Sequence, residues 1–296
     1  MTPSPTEAVN PDTRGIDTLD THGIVQMLAR EQRVAAEAVA GASDVLAAAV
    51  DAIVARLRSG GTLHYVGAGT SGRLGMLDAA ECPPTFGTPP SLVVGHIAGG
   101  ERALVRAVEG AEDDACAGEA VVREKIGAPD AVVGISASGG APYVVAAIKA
   151  ARVAGALTIG LSGNADSPLA RSAEMPVTID AGPEPIAGST RLKAGTVAKL
   201  ALNAISTATM IRLGKVYDNL MVDLVATNVK LQDRAVRLVR DVGAVDQERA
   251  RALLGEADRS VKVAIVMARR DLDADAARRA LAEHDGFLRP VLESVR

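Results

Sequence analysis

The sequence predicts an α/β fold: a doubly wound parallel sheet carrying an N-terminal helical arm and a small C-terminal helical module. Three observations predict it. Between Thr62 and Ile179, five short apolar runs alternate with amphipathic helical stretches. Two of those runs lead directly into loops rich in glycine and hydroxyl residues. Both ends of the chain carry apolar residues at three-and-four spacing instead.

Taken in order, residues 1–58 begin with a polar, proline-bearing stretch, "MTPSPTEAVNPDTRG". Helical periodicity then runs from Thr21 to Arg58 and stops at Gly60 and Gly61. Residues 59–227 hold the candidate strands "TLHYV", "SLVVGHI", "AVVGIS", "ALTIGLS" and "MPVTI". Continuous apolar runs separated by helices imply βαβ units buried on both faces. Residues 228–296 are charged and helical again, with Gly286 as a break before the last helix.

Composition narrows the function. The 296 residues contain 32 Lys and Arg against 36 Asp and Glu, a net charge of −4, so no basic field recruits nucleic acid. Cys82 and Cys116 are too few and too far apart for a disulfide framework, and the four histidines lack ligand spacing, so neither structural zinc nor another metal is expected. No basic leader followed by an apolar stretch begins the chain, and no uncharged apolar run is long enough to span a bilayer. A cytoplasmic protein without a membrane partner is the expectation.

"VGAGTSGRLGMLDAAECPPTF", Val66 to Phe86, carries the chemistry. Gly67, Gly69 and Gly72 satisfy G-x-G-x-x-G, which lets a backbone approach an anion at the positive end of a helix. A dinucleotide site would add an acidic residue at the end of the second strand, but that strand ends in "HIAGG"; no Lys-Ser or Lys-Thr of a P-loop follows the glycines. Thr70 and Ser71 instead offer hydroxyls to a terminal phosphate. The second loop, "SASGG", adds Ser136, Ser138 and Gly139. A sugar phosphomonoester fits better than a dinucleotide, and loops at the carboxyl ends of parallel strands are where such ligands bind.

"GAGTSGRLG", "SASGG" and "GSTRLKAGT" (Gly188 to Thr196) resemble the phosphosugar-binding elements of the sugar isomerase (SIS) domain. More closely, "TEAVNP", "GAGTSGRLGMLDAAECPPTFG", "VEGAEDD" and "GSTRLKAGTVAKLALNAIST" resemble the N-acetylmuramic acid 6-phosphate etherases, over most of the chain. One departure is Gly140, where the family pattern leads one to expect Arg or Asn. The resemblance implies an SIS-type fold, a homodimer with sites completed across the interface, and cleavage of a D-lactyl ether to give N-acetylglucosamine 6-phosphate and D-lactate in cell-wall recycling.

Two catalytic carboxylates are carried over by the same resemblance. Glu81, in "AECPP", is expected near the end of its helix, stopped by Pro83 and Pro84, and acts as general acid at the departing lactate oxygen. Glu112, in "GAEDD", is the base at C2, with Glu109, Asp113 and Asp114 as nearby competitors. By itself a helix-end glutamate is a solvated surface residue. The chemistry asks for such a pair. Opening the sugar ring makes the C2 hydrogen acidic and turns the C3 lactyl group into a β leaving group, so elimination and hydration need an acid and a base, and no cofactor.

Ser189 and Thr190 are good helix N-caps, while Arg191 and Lys193 sit where the helix dipole disfavours cations and so answer an acidic group. Ser189 and Lys193 are therefore candidate substrate contacts; an intersubunit salt bridge is the alternative for the cations. Asn219 and Asn228 either contact sugar or cap helices. Two rival functions stay open: a non-catalytic sugar-phosphate sensor such as a kinase regulatory protein, and an aldose-ketose isomerase on the same domain.

Overall fold

The computed structural model describes residues 5–224, 226 and 229–293; Asn228 lies outside them. Two compact units emerge, Met1–Ala80 with Leu92–Ser206, and Glu81–Ser91 with Thr207–Arg296.

Along the chain, helices α1 (Thr21–Gly41) and α2 (Ser43–Arg58) lead into β1 (Leu63–Gly67), α3 (Gly69–Phe86) and β2 (Val93–Ile97). A short α4 (Arg102–Val105) and α5 (Ala115–Lys125) precede β3 (Ala131–Ile135), α6 (Pro142–Val153), β4 (Leu157–Ser162), α7 (Pro168–Ser172), β5 (Met175–Thr178) and α8 (Lys193–Arg212). The α1 N-terminus is capped by the Asp20 carboxylate, which accepts from Gly23 N.

All five strands are parallel, in the order β2-β1-β3-β4-β5. The chain runs outward from β1 to β2 and then returns to the other side of β1 with β3. That reversal opens a crevice at the carboxyl ends of β1 and β3, the position where doubly wound sheets bind ligands. Every residue of β1, β3 and β4 is buried, as continuous apolar runs require when helices cover both faces. Val66 and Val132 pack with Val144 and Ile148 of α6. On the opposite face, Gly75 of α3 lies against Tyr65 and Ile135, where an added Cβ would be only 3.0 Å from the Tyr65 Cβ.

Helix α2 packs on β3, β4 and β5 through its apolar stripe, including Ile53 and Leu57. No single helix among the described residues is long and apolar enough to cross a membrane; α1 and α2 pass that test only as a pair bent by 59°.

One buried polar pair sits inside the sheet. His64 Nδ1 of β1 lies 3.0 Å from His96 Nε2 of β2, so one ring donates and the other accepts. The His64 Nε2 faces the Asp130 carboxylate at 3.8 Å. Burial first, then the neighbouring His64 and Lys125, push His96 down to about 4. Burial also lowers His64, against the opposing pull of Asp130. An unfolded histidine takes its proton near pH 6.5, so the unfolded chain binds more protons between these values and stability falls as the pH drops from 6.5 to 4. His96 alone should contribute a loss of about 3 kcal/mol over that window. Urea midpoints measured across it should fall steeply for the wild type and less steeply for His96→Gln; parallel slopes would show that the pair is not the titrating element.

In the second unit, strands β6 (Val216–Tyr217) and β7 (Leu220–Met221) form an antiparallel pair. Helices α9 (Val229–Gly243), α10 (Gln247–Glu256), α11 (Val261–Arg270), α12 (Ala274–Ala282) and α13 (Leu288–Glu293) follow. Leu238, Val239, Leu253, Ile265 and Val266 build its core. Gly286, at φ +77°, makes the break before α13. Asp223 joins the buried ammonium of Lys262 at 2.8 Å and that of Lys215 at 3.0 Å.

Pro83 and Pro84 do not stop α3, which continues through both of them to Phe86. The fixed φ of both prolines is compatible with a helix, their two missing N–H groups remove two i→i−4 bonds, and Gly87 N still closes the last turn on Pro83 O at 2.9 Å. Glu81 thus stands five residues before the helix end.

Candidate active site

The crevice between the β1 and β3 loops is a cleft of about 390 Å³. Its first wall is the turn from β1 into α3. Strand and helix meet here without side chains: a Cβ on Gly67 would stand 2.7 Å from Gly72 N, and one on Gly72 would stand 2.7 Å from Gly67 O. Gly69 adopts φ +54°, which starts the helix at once. Thr70 and Ser71 in that first turn line the cleft, beside the positive end of an 18-residue helix.

The second wall is the loop from β3 into α6, which contributes Ser136, Ser138 and Gly140 to the lining. Ser136 Oγ accepts from Gly139 N at 3.1 Å, and Ser138 Oγ accepts from Gly140 N at 3.2 Å. Both hydroxyls keep their protons for a ligand, since in these bonds they are acceptors. Gly139 is at φ +71°, and any Cβ there would collide with the Ser167 hydroxyl. It shapes the loop from beneath.

The turn Ala111–Asp113, entered through Gly110 at φ +71°, puts Glu112 and Asp113 on the cleft wall. Asp114 is engaged elsewhere, capping α5 through Ala117 N at 2.9 Å. Glu109 is not on the wall. Of the three competitors only Asp113 shares the cleft with Glu112.

Glu81 is exposed and falls in the second unit. The cleft wall does not include it.

Ser189 and Lys193 are not on the wall either, although Gly188 and Thr190 are. Lys193 is 3 % exposed, and its ammonium lies 3.0 Å from Glu31 Oε2 of α1. The cation thus answers an internal carboxylate in the same chain. Nor do Ser189 and Thr190 cap α8. That helix starts at Lys193, and the buried Glu184 carboxylate accepts from Lys193 N at 2.7 Å and from Ala194 N at 2.9 Å.

Missed by sequence reasoning were Thr6 and Glu7, which also line the cleft. Their only signal was the position of "TEAVNP" inside a recognisable motif. Among the described residues, no group of three His, Cys, Asp or Glu side chains is arranged to hold a metal.

Comparison with known proteins decides the family. N-acetylmuramic acid 6-phosphate etherases of Salmonella typhimurium and Salmonella typhi are each 52% identical over 288 residues, covering 97% of this chain and 97% of the relative. The chain belongs to the N-acetylmuramic acid 6-phosphate etherase family. Its residues 45–152 match the glucokinase regulatory protein N-terminal SIS domain, and residues 117–207 match the SIS domain. Among solved structures, a phosphoheptose isomerase from Francisella tularensis superposes with a TM-score of 0.52 at 18% identity, covering 65% of this chain and all of that one. The E. coli CFT073 protein c3406 in complex with A5P gives 0.50 at 18% identity, over 68% of this chain and 97% of that one. The etherase-family chain therefore has the SIS-type parallel sheet that its loops predicted.

Proposed function

We propose that this protein is a carbon–oxygen lyase that cleaves the D-lactyl ether of N-acetylmuramic acid 6-phosphate by elimination and hydration, yielding N-acetylglucosamine 6-phosphate and D-lactate. One observation carries the reading beyond family membership: the Glu112 carboxylate shares a single cleft with Thr70, Ser71, Ser136 and Ser138. A base is thus held near a phosphate grip built of hydroxyls and a helix N-terminus.

The phosphate end docks on those hydroxyls and on the backbone N–H groups opening α3. With the ring open, Glu112 takes the C2 proton, the electrons form the C2–C3 double bond, and the C3–O bond breaks. Glu81 gives its proton to the departing lactyl oxygen. Glu81, now a carboxylate, then takes a proton from water as its oxygen adds at C3, and Glu112 returns a proton to C2. The sum is addition of one water with no change of oxidation state, so the chemistry calls for no redox cofactor. Each well-placed proton transfer is worth typically 10²–10⁴-fold.

Because the family resemblance implies sites completed across a homodimer interface, we assign the acid to a second copy of the chain. The active unit is a homodimer in which each cleft receives Glu81 from its neighbour. The substrate's phosphate is a dianion that does not cross a bilayer unaided, which favours a cytoplasmic site of action.

D-lactate release from N-acetylmuramic acid 6-phosphate by the purified protein tests this, with Glu81→Gln alongside. Release by the wild type and a drop of at least about 10²-fold in the variant is expected. Sugar-phosphate binding without any lactate would favour a sensor, and interconversion of aldose and ketose phosphates would favour an isomerase.

A further inference from the structure

The N-terminal strap, residues 6–13, is fastened to the cleft rather than merely preceding α1. Thr6 O accepts from Gly188 N at 3.1 Å. Asn10, 5 % exposed, donates through Nδ2 to Glu31 Oε2 at 2.9 Å and to Pro183 O at 3.1 Å. Thr13, buried as well, donates from Oγ1 to Pro185 O at 2.9 Å. These anchors, on both sides of Glu7, tie the strap to the segment that leads into α8 and to α1.

Glu7 itself is exposed and faces the cleft. Its Oε2 lies 3.2 Å from the point where a Cβ on Gly188 would stand. Gly188 is at φ +76°, which favours glycine, and a Cβ there would press only on the movable end of the Glu7 side chain. The fold therefore leaves room beside this turn for a carboxylate carried in from a distant part of the sequence.

The charge balance of the cleft limits what that carboxylate can meet. Among its described lining residues are Glu7, Glu112 and Asp113, and no Lys, Arg or His. A carboxylate repels the dianionic phosphate, which goes to the glycine and hydroxyl loops. An ionised carboxylate only accepts hydrogen bonds, and the remaining donors on an N-acetylamino-sugar phosphate are its free hydroxyls and the single acetamido N–H. We propose that Glu7 is a substrate-binding residue whose carboxylate accepts hydrogen bonds from these sugar donors and so sets the carbon chain in register with Glu112. The assignment rests on the sugar-phosphate reading of the cleft, and it needs no turnover to be tested.

Calorimetric titration of wild type, Glu7→Ala and Glu7→Gln with N-acetylglucosamine 6-phosphate, and separately with inorganic phosphate, supplies the test. Charge-assisted hydrogen bonds of this kind predict a loss of about 10- to 100-fold in sugar-phosphate affinity for Glu7→Ala, with partial recovery in Glu7→Gln. Inorganic phosphate affinity should stay within about twofold, because its subsite lies on the other loops. Unchanged sugar-phosphate affinity in Glu7→Ala would overturn the assignment. An equal loss for both ligands would overturn it too, because Glu7 would then act only through the strap. Normal discrimination by Glu7 in a protein that releases no D-lactate would refute the lyase reading while leaving Glu7 in place.

Discussion

Co-expressing Glu81→Gln and Glu112→Gln chains should restore about a quarter of wild-type D-lactate release, although each variant alone should lose at least about 10²-fold. If each cleft uses Glu112 of one chain and Glu81 of the other, a mixed dimer holds one intact site and one site with both carboxylates replaced. Random pairing makes about half of the dimers mixed, which gives the quarter. If both glutamates came from a single chain, each site in a mixed dimer would carry one replacement and nothing would be restored. The two variants should also differ in isotope exchange. Glu81→Gln keeps the base and should still exchange the C2 hydrogen with heavy water, while Glu112→Gln should not. Exchange at the wild-type rate in Glu112→Gln would transfer the base role to another group, with Asp113 the first candidate because it shares the wall.

The parts of this site that were legible in the sequence are those fixed by local geometry. Gly67 and Gly72 announce a close approach of strand and helix, and their hypothetical Cβ atoms would each meet the other's backbone at 2.7 Å. Apolar runs such as "AVVGIS" announce buried strands because a sheet covered on both faces tolerates little else there. The cleft between the two loops then follows from strand order. Glu112 was legible only through family resemblance, since nothing local distinguishes it from Glu109 or Asp114 until Asp114 is seen capping α5.

What stayed hidden depended on contacts between distant segments. Nothing near Lys193 shows that its partner is Glu31, 162 residues away. Glu184 replaces the expected Ser189 and Thr190 caps by reaching across a nine-residue separation to Lys193 N. Glu7 enters the cleft only because Asn10 and Thr13 find carbonyls at Pro183 and Pro185. Residues 81–91 cluster with the C-terminal helices although they continue from α3, a division that no change in composition marks.

Lys193→Met should destabilise the first unit by about 1–3 kcal/mol, because Glu31 loses its close buried partner and keeps only the Arg30 guanidinium, 3.9 Å from Oε1. Glu31 is 4 % exposed and accepts from both Lys193 and Asn10 through the same oxygen, Oε2, so removing the ammonium leaves a buried carboxylate with only an amide donor there. Water drawn in to the carboxylate then disturbs the strap that Asn10 anchors. Glu31→Gln combined with Lys193→Met removes both charges and should recover a large part of the loss, because the desolvation penalty disappears with the ions. Chemical denaturation of the two variants against wild type distinguishes this from a substrate role. A Lys193→Met protein with wild-type stability and weakened phosphate binding would place Lys193 among the ligand contacts; a less stable protein rescued by Glu31→Gln assigns it to fastening α8 onto α1.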